Sequence, residues 1–237
     1  MLKALRFFAL ASLPLFCMFI QIPGKAQTGF SDSFHSTSLD SGLWTAGGEG
    51  IGLVDPQIDG LHMTLAPSNN APAFDVAANS RCILQGDVDA QVEYRLTGWL
   101  PANGTRLGLG AVNLMPAWVQ RTSETDGQEH YLTIMGDGGK GWTDTTDSAG
   151  RLRLTRTGDT LAGYYYSSGS WVLLNSYADP SHMADTYIAL QIWAHNSTPG
   201  VEVVLENFSV TADGVQCPPP FTPTFSYTFD DDAPDDP

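Results

Sequence analysis

Three short runs with strand-like patterning follow one another in residues 151–174, RLRLTRTGDTLAGYYYSSGSWVLL. In the first run Leu152 and Leu154 alternate with polar residues, which gives a strand one apolar face and one polar face. The second run, residues 160–166, is rich in β-favouring aromatic residues, and the third, residues 171–174, is short and apolar. Gly-Asp and Ser-Ser-Gly-Ser turn signals separate the runs, so the pattern predicts three consecutive strands.

The same kind of pattern continues through most of the chain, with Gly, Asn, Asp, Ser and Pro in the gaps. It predicts further strands at residues 30–34, 61–65, 74–76, 88–96, 106–112, 131–135, 187–194 and 201–211. Helical periodicity never persists for three turns, and one helical turn is predicted at residues 179–185. Many short strands with almost no helix predict one all-β domain of about 185 residues, built as a sandwich, a jelly roll or a barrel.

The two ends of the chain differ from this body. Lys3 and Arg6 precede an apolar run at residues 7–22, and Gly24-Lys25-Ala26 offers small residues for cleavage before Gln27. We therefore expect residues 1–26 to be a signal peptide, residues 27–214 to be the β-sandwich domain, and the protein to be secreted, outside the cell or at its surface. Residues 215–237 contain six prolines and five aspartates from Cys217 onward, a composition that predicts a disordered acidic tail.

The charge of the chain narrows the choice of partners. The full sequence carries a net charge of −15, and removal of residues 1–26 leaves 8 basic against 26 acidic residues, a net charge of −18. Such a surface repels phosphate groups, so we expect no nucleic-acid partner and no membrane partner after signal cleavage. Neutral glycans and cations remain as ligands, and the sequence leaves the oligomeric state open.

Cysteines and histidines give little sign of a metal site. Cys82 and Cys217 are the candidates for one disulfide in an oxidising compartment, although the sequence leaves open whether they come close enough to pair. Neither has a second cysteine nearby, and the histidines lack ligand spacing, so zinc is not expected. We expect no cofactor, with structural calcium as the alternative because Asp87-Val-Asp89 and Asp137-Gly-Gly place carboxylates beside turns.

Three segments carry a family resemblance: FSDSFHSTSLDSGLW from residue 30, LRLTRTGDTLAGYYYSSGSW from residue 152, and VEVVLENFSV from residue 201. Over residues 30–213 the chain resembles bacterial members of the concanavalin A-like lectin/glucanase superfamily. The resemblance implies a jelly roll of two antiparallel sheets with the first and last strands side by side. It also implies ligand binding on the concave sheet or its rim loops. Because the superfamily includes lectins, glucanases and adhesive modules, the resemblance does not imply one activity.

One segment matches a catalytic motif of that superfamily. Laminarinase-type β-glucanases use Glu-x-Asp-x-x-Glu, and Glu124, Asp126 and Glu129 fit this spacing. The resemblance makes Glu124 the nucleophile and Glu129 the general acid/base, a pair that must lie about 5 Å apart. However, the surrounding QRTSETDGQEH is polar and is typical of a surface loop, with a strand that begins near His130. We therefore expect no catalytic residues, and a glycoside hydrolase remains the alternative.

Aromatic residues are the stronger candidates for function, because flat rings stack on the C–H patches of sugars while polar neighbours bind the hydroxyls. Tyr165 must face away from its two neighbours on one strand, and we expect Trp44 and Trp171 to fill the core. The candidate carbohydrate-binding residues are Trp99, Trp118, Trp142, Tyr164, Tyr166, Trp193 and His195.

These observations favour a secreted, non-catalytic carbohydrate-binding or adhesion module that binds a polysaccharide or glycan by aromatic stacking. Two alternatives stay open at this point. One is a β-glucan hydrolase that uses Glu124 and Glu129, and the other is a structural exoprotein that serves as a spacer.

Overall fold

A computed structural model describes residues 28–49, 52–114 and 117–219. They form one short 3₁₀ helix, Pro180–Met183, and fifteen strands. The strands are β1 (Thr28–Asp32), β2 (Trp44–Glu49), β3 (Gly52–Gln57), β4 (Gly60–Leu65), β5 (Ser68–Ser80), β6 (Ile83–Gly98), β7 (Thr105–Val112), β8 (Ala117–Ser123), β9 (Glu129–Met135), β10 (Lys140–Asp144), β11 (Ala149–Thr157), β12 (Thr160–Ser167), β13 (Ser170–Ala178), β14 (Tyr187–Thr198) and β15 (Val201–Gln216).

The strands build two antiparallel sheets packed face to face. The eight-stranded sheet has the order β13-β12-β11-β6-β15-β4-β3, with β1 also paired to β15. The seven-stranded sheet has the order β10-β9-β8-β7-β14-β5-β2. This arrangement confirms the all-β sandwich, and the pairing of β1 with β15 confirms that the first and last strands lie side by side. In the parts of the chain that the structure describes, no helix has the length and apolarity needed to cross a membrane.

The core lies between the sheets and follows the alternation along each strand. Leu152 and Leu154 of β11 point into it and are almost fully buried, as the sequence pattern predicts. Trp44 is 2% exposed and packs its ring against Phe34 and Phe208, with ring centroids 5.4 Å and 4.9 Å away. Trp44 is therefore a core residue, as expected.

Four strands were not anticipated from the sequence: β2, β3, β8 and β10. Strand β8 is the important difference, because the polar stretch from Gln120 to Ser123 reads as a loop but forms a strand whose side chains are buried. Two of its polar side chains have partners within the fold: Arg121 lies 2.5 Å from Glu129, and the Thr122 hydroxyl donates to the carbonyl of His130. Burial of polar residues in a strand is stable when they are paired, and periodicity alone does not reveal such pairs.

The C-terminal end of the body is tied to its middle. Strand β15 continues to Gln216, and the next residue, Cys217, forms a disulfide with Cys82 across a sequence separation of 135 residues. The expected signal peptide and the proline- and aspartate-rich tail from residue 220 lie outside the described residues.

Candidate functional site

The glutamates of the Glu-x-Asp-x-x-Glu motif lie at a hairpin turn. Residues 124–128 connect β8 to β9, and the turn is closed by hydrogen bonds from Glu124 N to Gln128 O (2.8 Å) and from Gly127 N to Glu124 O (3.0 Å). The side chain of Asp126 accepts a bond from the Gln128 amide, so it organises the turn. The expectation of a surface loop therefore holds for residues 124–128, while the strand begins at Glu129.

The two glutamate side chains have different partners on opposite sides of the seven-stranded sheet. Glu129 lies 2.5 Å from Arg121, which is on the core side of β8. Glu124 lies 3.5 Å from Arg106 and 3.7 Å from His130 Nε2, which are on the other side. Because a glycosidase needs both carboxyls beside one glycosidic bond, this arrangement does not form a catalytic pair.

The outer face of the seven-stranded sheet, called the open face below, is defined by alternation. Leu107, Val119 and Tyr131 point into the core, so their neighbours along β7, β8 and β9 point outward. The strand register then sets three rows of outward side chains. They are Asp75, Trp193, Arg106, Thr122, His130 and Asp144; then Ala77, Gln191, Gly108, Gln120, Leu132 and Trp142; then Asn79, Ala189, Gly110, Trp118, Ile134 and Lys140.

The most specific feature of the open face is the position of Trp118. A Cβ atom on Gly110 would lie 2.5 Å from Cε3 of the Trp118 ring, and one on Gly108 would lie 2.9 Å from the same atom. The Trp118 ring therefore packs flat against Gly108 and Gly110, because any side chain at these two positions would occupy the space of the ring. The result is an aromatic platform in the middle of the sheet.

Polar atoms without hydrogen-bond partners lie on the same face, Gln120 in the row next to Trp118 and His130 two rows, or about 14 Å, away. Gln120 and His130 are each only 9% exposed, and Gln120 Oε1 and His130 Nδ1 form no hydrogen bond with the described residues. Both atoms have almost no accessible surface, and an unpaired buried polar atom costs about 1–3 kcal/mol. Sequence reasoning missed both residues, since Gln120 was assigned to a loop and the outward position of His130 depends on the register of β9.

Other polar and aromatic groups extend the open face on either side. The guanidinium of Arg106 lies over the Trp193 ring, 5.2 Å from the ring centroid. Gln191 donates a hydrogen bond to Asp75. Trp142, on the edge strand β10, is 65% exposed. The structure thus brings together three of the predicted tryptophans, Trp118, Trp142 and Trp193, on one surface.

Carboxylates are missing from the middle of this surface. Among the described residues of β7, β8, β9 and β14, every outward position in the three rows is occupied by a residue other than Asp or Glu. The acids near the first row are Asp75 on β5, Asp144 on β10 and Glu124, which follows β8 and lies beside Arg106 and His130. All three lie at the margin of the face, two rows or more (about 14 Å) from Trp118.

Tyr164 and Tyr166 lie on the other sheet, facing away from the core. Their rings contact Arg153 and Arg151, with guanidinium carbons 5.4 Å and 4.9 Å from the ring centroids. Tyr165 faces inward and stacks on Tyr131 at 4.5 Å, as alternation predicts. These two tyrosines therefore cannot act on the same ligand surface as Trp118.

Trp171 was expected in the core, and this expectation was wrong. It is only partly buried and lies on the outer face of the eight-stranded sheet, where it meets Tyr166 edge to face at 5.2 Å. Arg151 also lies over its ring at 5.2 Å. Trp171 pairs with Tyr166 in the β12–β13 register, which places both rings outward.

Trp99 and His195 complete the predicted set. Trp99 follows β6 and lies at the end of the sandwich, where its Nε1 donates to Glu129 Oε2 at 3.2 Å. His195 belongs to β14 by its backbone, but its side chain lies outside the described residues.

A buried hydroxyl chain lies behind Trp99. The hydroxyls of Tyr94 and Tyr131 are 2.8 Å apart, and Tyr131 donates to Asp147 Oδ2 at 3.0 Å. Burial raises the pKa of Tyr94 to about 12 and raises the pKa of Tyr131 as well. Both side chains are therefore neutral hydroxyls at physiological pH.

A charged cluster occupies the outer face of the eight-stranded sheet. His62 lies between Glu202, 2.8 Å from its Nδ1, and Asp59, 2.9 Å from its Nε2. Burial alone would lower the pKa of His62, but the hydrogen bonds to Glu202 and Asp59 outweigh burial and raise this pKa above its ordinary value. The cluster is a stabilising ion-pair network on β4 and β15.

The carboxylates considered for calcium have other partners. Asp89 binds Arg153 through both oxygens, at 2.8 Å and 2.6 Å, and Asp87 accepts from the Gly158 amide at 2.7 Å. Asp137 lies in the β9–β10 turn. Within residues 28–49, 52–114 and 117–219, no group of three or more His, Cys, Asp or Glu side chains could hold a metal ion.

Comparison with known proteins identifies the fold. A glycosyl hydrolase family 16 protein from Mycobacterium smegmatis matches with a TM-score of 0.55 and 9% identity, covering 76% of this chain and 98% of the other. A lectin from Bauhinia forficata in complex with GalNAc matches with a TM-score of 0.52 and 11% identity, covering 81% and 99%. The CBM2 module of the evolved Dit of Lactobacillus casei BL23 phage J-1 matches with a TM-score of 0.53 and 10% identity, covering 78% and 96%.

The chain thus has the concanavalin A-like jelly-roll fold, which these solved structures share. Proteins with this fold include both lectins and glucanase-like enzymes. No family model matches the sequence, and no curated protein matches it. Because identities near 10% establish the fold alone, the function has to be argued from the site.

Proposed function

We propose that this protein is a non-catalytic carbohydrate-binding module whose ligand lies on the open face. The observation that carries the proposal is the Trp118 ring packed over Gly108 and Gly110, with the Gln120 side chain in the neighbouring row of the same face. A sugar ring would place its C–H face against Trp118, and the side-chain amide of Gln120 in the neighbouring row would bind its hydroxyls. Trp142 and Trp193, on strands to either side, extend the same surface for further sugar units.

The charge of the protein supports a neutral glycan as the ligand. With a net charge of −15, the chain repels polyanions over distances of about a Debye length. Neutral polysaccharides lack this penalty and are recognised by stacking and hydroxyl bonds. Nucleic acids and anionic membranes are not partners in this proposal.

Secretion forms part of the proposal. The pattern of residues 1–26 is that of a signal peptide, and the Cys82–Cys217 disulfide suits an oxidising compartment. Both features fit a module that binds polysaccharide outside the cell.

The absence of catalysis rests on the geometry of the carboxylates. Glu124 and Glu129 lie on opposite sides of the sheet, and the four central strands of the open face carry no outward Asp or Glu among the described residues. A ligand on Trp118 would therefore meet no pair of carboxyls at the spacing that glycoside hydrolysis needs.

The test is binding of the secreted protein to a panel of neutral polysaccharides by glycan array and affinity electrophoresis. Trp118→Ala is expected to abolish the binding, whereas Trp171→Ala, a matched change on the other sheet, is expected to leave it intact. Laminarin and lichenin should not be hydrolysed by the wild type. Binding that is lost in Trp171→Ala but kept in Trp118→Ala would refute the proposed face. Hydrolysis that disappears in Glu124→Gln would establish the enzyme, and no binding to any glycan would favour a spacer.

A further inference from the structure

The outer face of the eight-stranded sheet carries a surface that the proposed glycan site does not use. Strands β11, β12 and β13 lie side by side at one edge of this sheet, and their outward side chains form two rows. This surface, called the arginine–aromatic face below, consists of Arg151, Arg153, Tyr164, Tyr166, Trp171 and Leu173. All six side chains are at least partly exposed, and Leu173 is 51% exposed.

The rings and guanidinium groups of this face form one connected cluster. Arg151 lies over Tyr166 and Trp171, at 4.9 Å and 5.2 Å from their ring centroids. Arg153 lies over Tyr164 and over the same Trp171, at 5.4 Å and 5.6 Å. Because Trp171 contacts both arginines, its indole responds to a ligand on either one.

Each arginine keeps a donor after its contacts within the sheet. Arg153 binds Asp89 through Nε and Nη2, at 2.8 Å and 2.6 Å. Arg151 contacts Glu93 through Nε at 3.2 Å and donates from Nη2 to Gln91 at 3.3 Å. Neither Nη1 atom is buried, and within the described residues neither has a hydrogen-bond partner. Both Nη1 groups can therefore donate to a further carboxylate.

The strands beside these arginines leave room for such a carboxylate. The described residues of β12 and β13 include no Asp or Glu. A carboxylate that approached the arginines from this side would meet rings and hydroxyls, with no like charge on these two strands. The occupant that fits the face is therefore a segment that combines aromatic rings with acidic groups.

Residues 220–237, called the tail below, have this chemistry. They read PFTPTFSYTFDDDAPDDP, with rings at Phe225, Tyr227 and Phe229 and three aspartates at residues 230–232. In an extended segment alternate side chains point to the same side, so the three rings share one side. The tail has no lysine or arginine, and its aspartates need a cationic partner from elsewhere.

The point where the tail leaves the body places the face within its reach. Strand β15 ends at Gln216 beside the first residue of β6, and the disulfide holds Cys217 there. Arg153 pairs with Gln91, eight residues farther along β6, and β11 lies two strands from β15. Gln216 and Arg153 are therefore about 29 Å apart. The chain from Cys217 to residue 231 spans up to about 46 Å, which leaves about 17 Å for the tail to turn back over the sheet.

We propose that the tail folds back onto the arginine–aromatic face of its own chain. The tail rings would pack against Tyr164 and Leu173, and the tail aspartates would bind the Nη1 groups of Arg151 and Arg153. The same face of a second copy would instead set arginine against arginine across a twofold axis. The tether gives the tail an effective concentration on the order of 1 mM, so contacts with a Kd below about 1 mM keep it mostly on the face.

The test follows the indole signal of Trp171 by ¹⁵N–¹H NMR of the full chain, with the signal assigned by Trp171→Phe. A variant with a ring-free tail combines Phe225→Ser, Tyr227→Ser and Phe229→Ser. It is expected to move the Trp171 signal and to leave the signal of Trp142, on the open face, in place. A synthetic peptide of residues 220–237, added to this variant, should return the Trp171 signal toward its wild-type position with a Kd below about 1 mM.

Two further arms test the charge pairing. A peptide that carries Asp230→Asn, Asp231→Asn and Asp232→Asn is expected to bind at least tenfold more weakly than the unchanged peptide. In the full chain, Arg153→Gln should move the backbone amide signals of residues 225–232. Lys140→Gln, which removes one positive charge from the other sheet, should leave these signals in place.

Three results would overturn the proposal. One is an identical Trp171 signal in the wild type and the variant with the ring-free tail, and another is a peptide Kd above about 10 mM. The third is a wild-type Trp171 signal that moves on tenfold dilution, because the tail would then occupy the face of a second molecule.

Tail docking does not depend on glycan binding, so the two proposals fail separately. Trp118→Ala is expected to remove polysaccharide binding and to keep the Trp171 signal at its wild-type position. The variant with the ring-free tail is expected to bind polysaccharide like the wild type.

Discussion

Replacement of Gly110 by alanine adds one methyl group beneath the ring of Trp118. The new Cβ would lie 2.5 Å from the ring, whereas ordinary van der Waals contact begins at 3.4 Å. The ring must therefore move by about 0.9 Å, and it moves toward solvent because it lies on the open face. The fold should tolerate this change, since no core residue has to shift.

The affinity for glycan should fall because the displaced ring and the neighbouring Gln120 side chain no longer contact the sugar together. A stacking contact contributes about 0.5–1.5 kcal/mol, and each 1.4 kcal/mol corresponds to a factor of ten. We expect the dissociation constant to rise about 2- to 12-fold. Affinity electrophoresis measures this change against the best polysaccharide ligand, and near-UV circular dichroism reports the movement of the ring.

Gly47→Ala is the matched control. Gly47 lies on the same face in β2, and the nearest atom to its added Cβ would be Asn79 Nδ2 at 4.0 Å, an ordinary contact. This variant should bind glycan like the wild type. Equal affinities for Gly110→Ala, Gly47→Ala and the wild type would refute the role of the Trp118 platform.

Three further predictions concern stability. Glu129→Ala leaves a buried arginine without its counter-charge and should lower the free energy of unfolding in urea by about 3 kcal/mol, whereas the more exposed Glu124→Ala should cost less than about 1 kcal/mol. Removal of the Cys82–Cys217 disulfide by double serine substitution opens a loop of 135 residues and should cost up to about 5 kcal/mol by the loop-closure estimate. The pKa of His62 lies above its ordinary value of 6.5. Protonated His62 therefore stabilises the fold fully below pH 6.5, and this stabilisation is lost as the pH rises through the raised pKa. In thermal unfolding, His62→Asn should remove this loss of stability with rising pH.

Each stability prediction has a clear contrary result. Equal losses in the two glutamate variants would show that Glu129 is not the partner of a buried charge. An unchanged unfolding midpoint for the double serine variant under non-reducing conditions would exclude the disulfide as a stabilising link. A His62→Asn profile that matches the wild type between neutral and alkaline pH would exclude His62 as the titrating group.

The strand pattern was largely readable in the sequence because side chains alternate with a period of two wherever one face is buried. Leu152 and Leu154 point inward as predicted, and Tyr165 opposes Tyr164 and Tyr166. The pattern did not predict β8, because this strand buries polar residues where an apolar residue is expected. Hydrogen bonds and ion pairs offset the cost of burying Arg121 and Thr122.

The sequence by itself determined the fold class and most of the strand alternation. Only the tertiary structure decided which of the tryptophans share a surface, because strand neighbours and registers are set by hydrogen bonds between distant segments. Trp118 and Trp193 are 75 residues apart in the chain and meet on one face through β7, whereas Glu124 and Glu129 are five residues apart and are directed to opposite sides by a hairpin turn. The spacing of Glu124 and Glu129 in the sequence therefore suggested a catalytic pair, but the sheet places their side chains on opposite sides. The surface that contains Trp118 and Trp193 forms only through strand pairing, so no local sequence pattern predicts it.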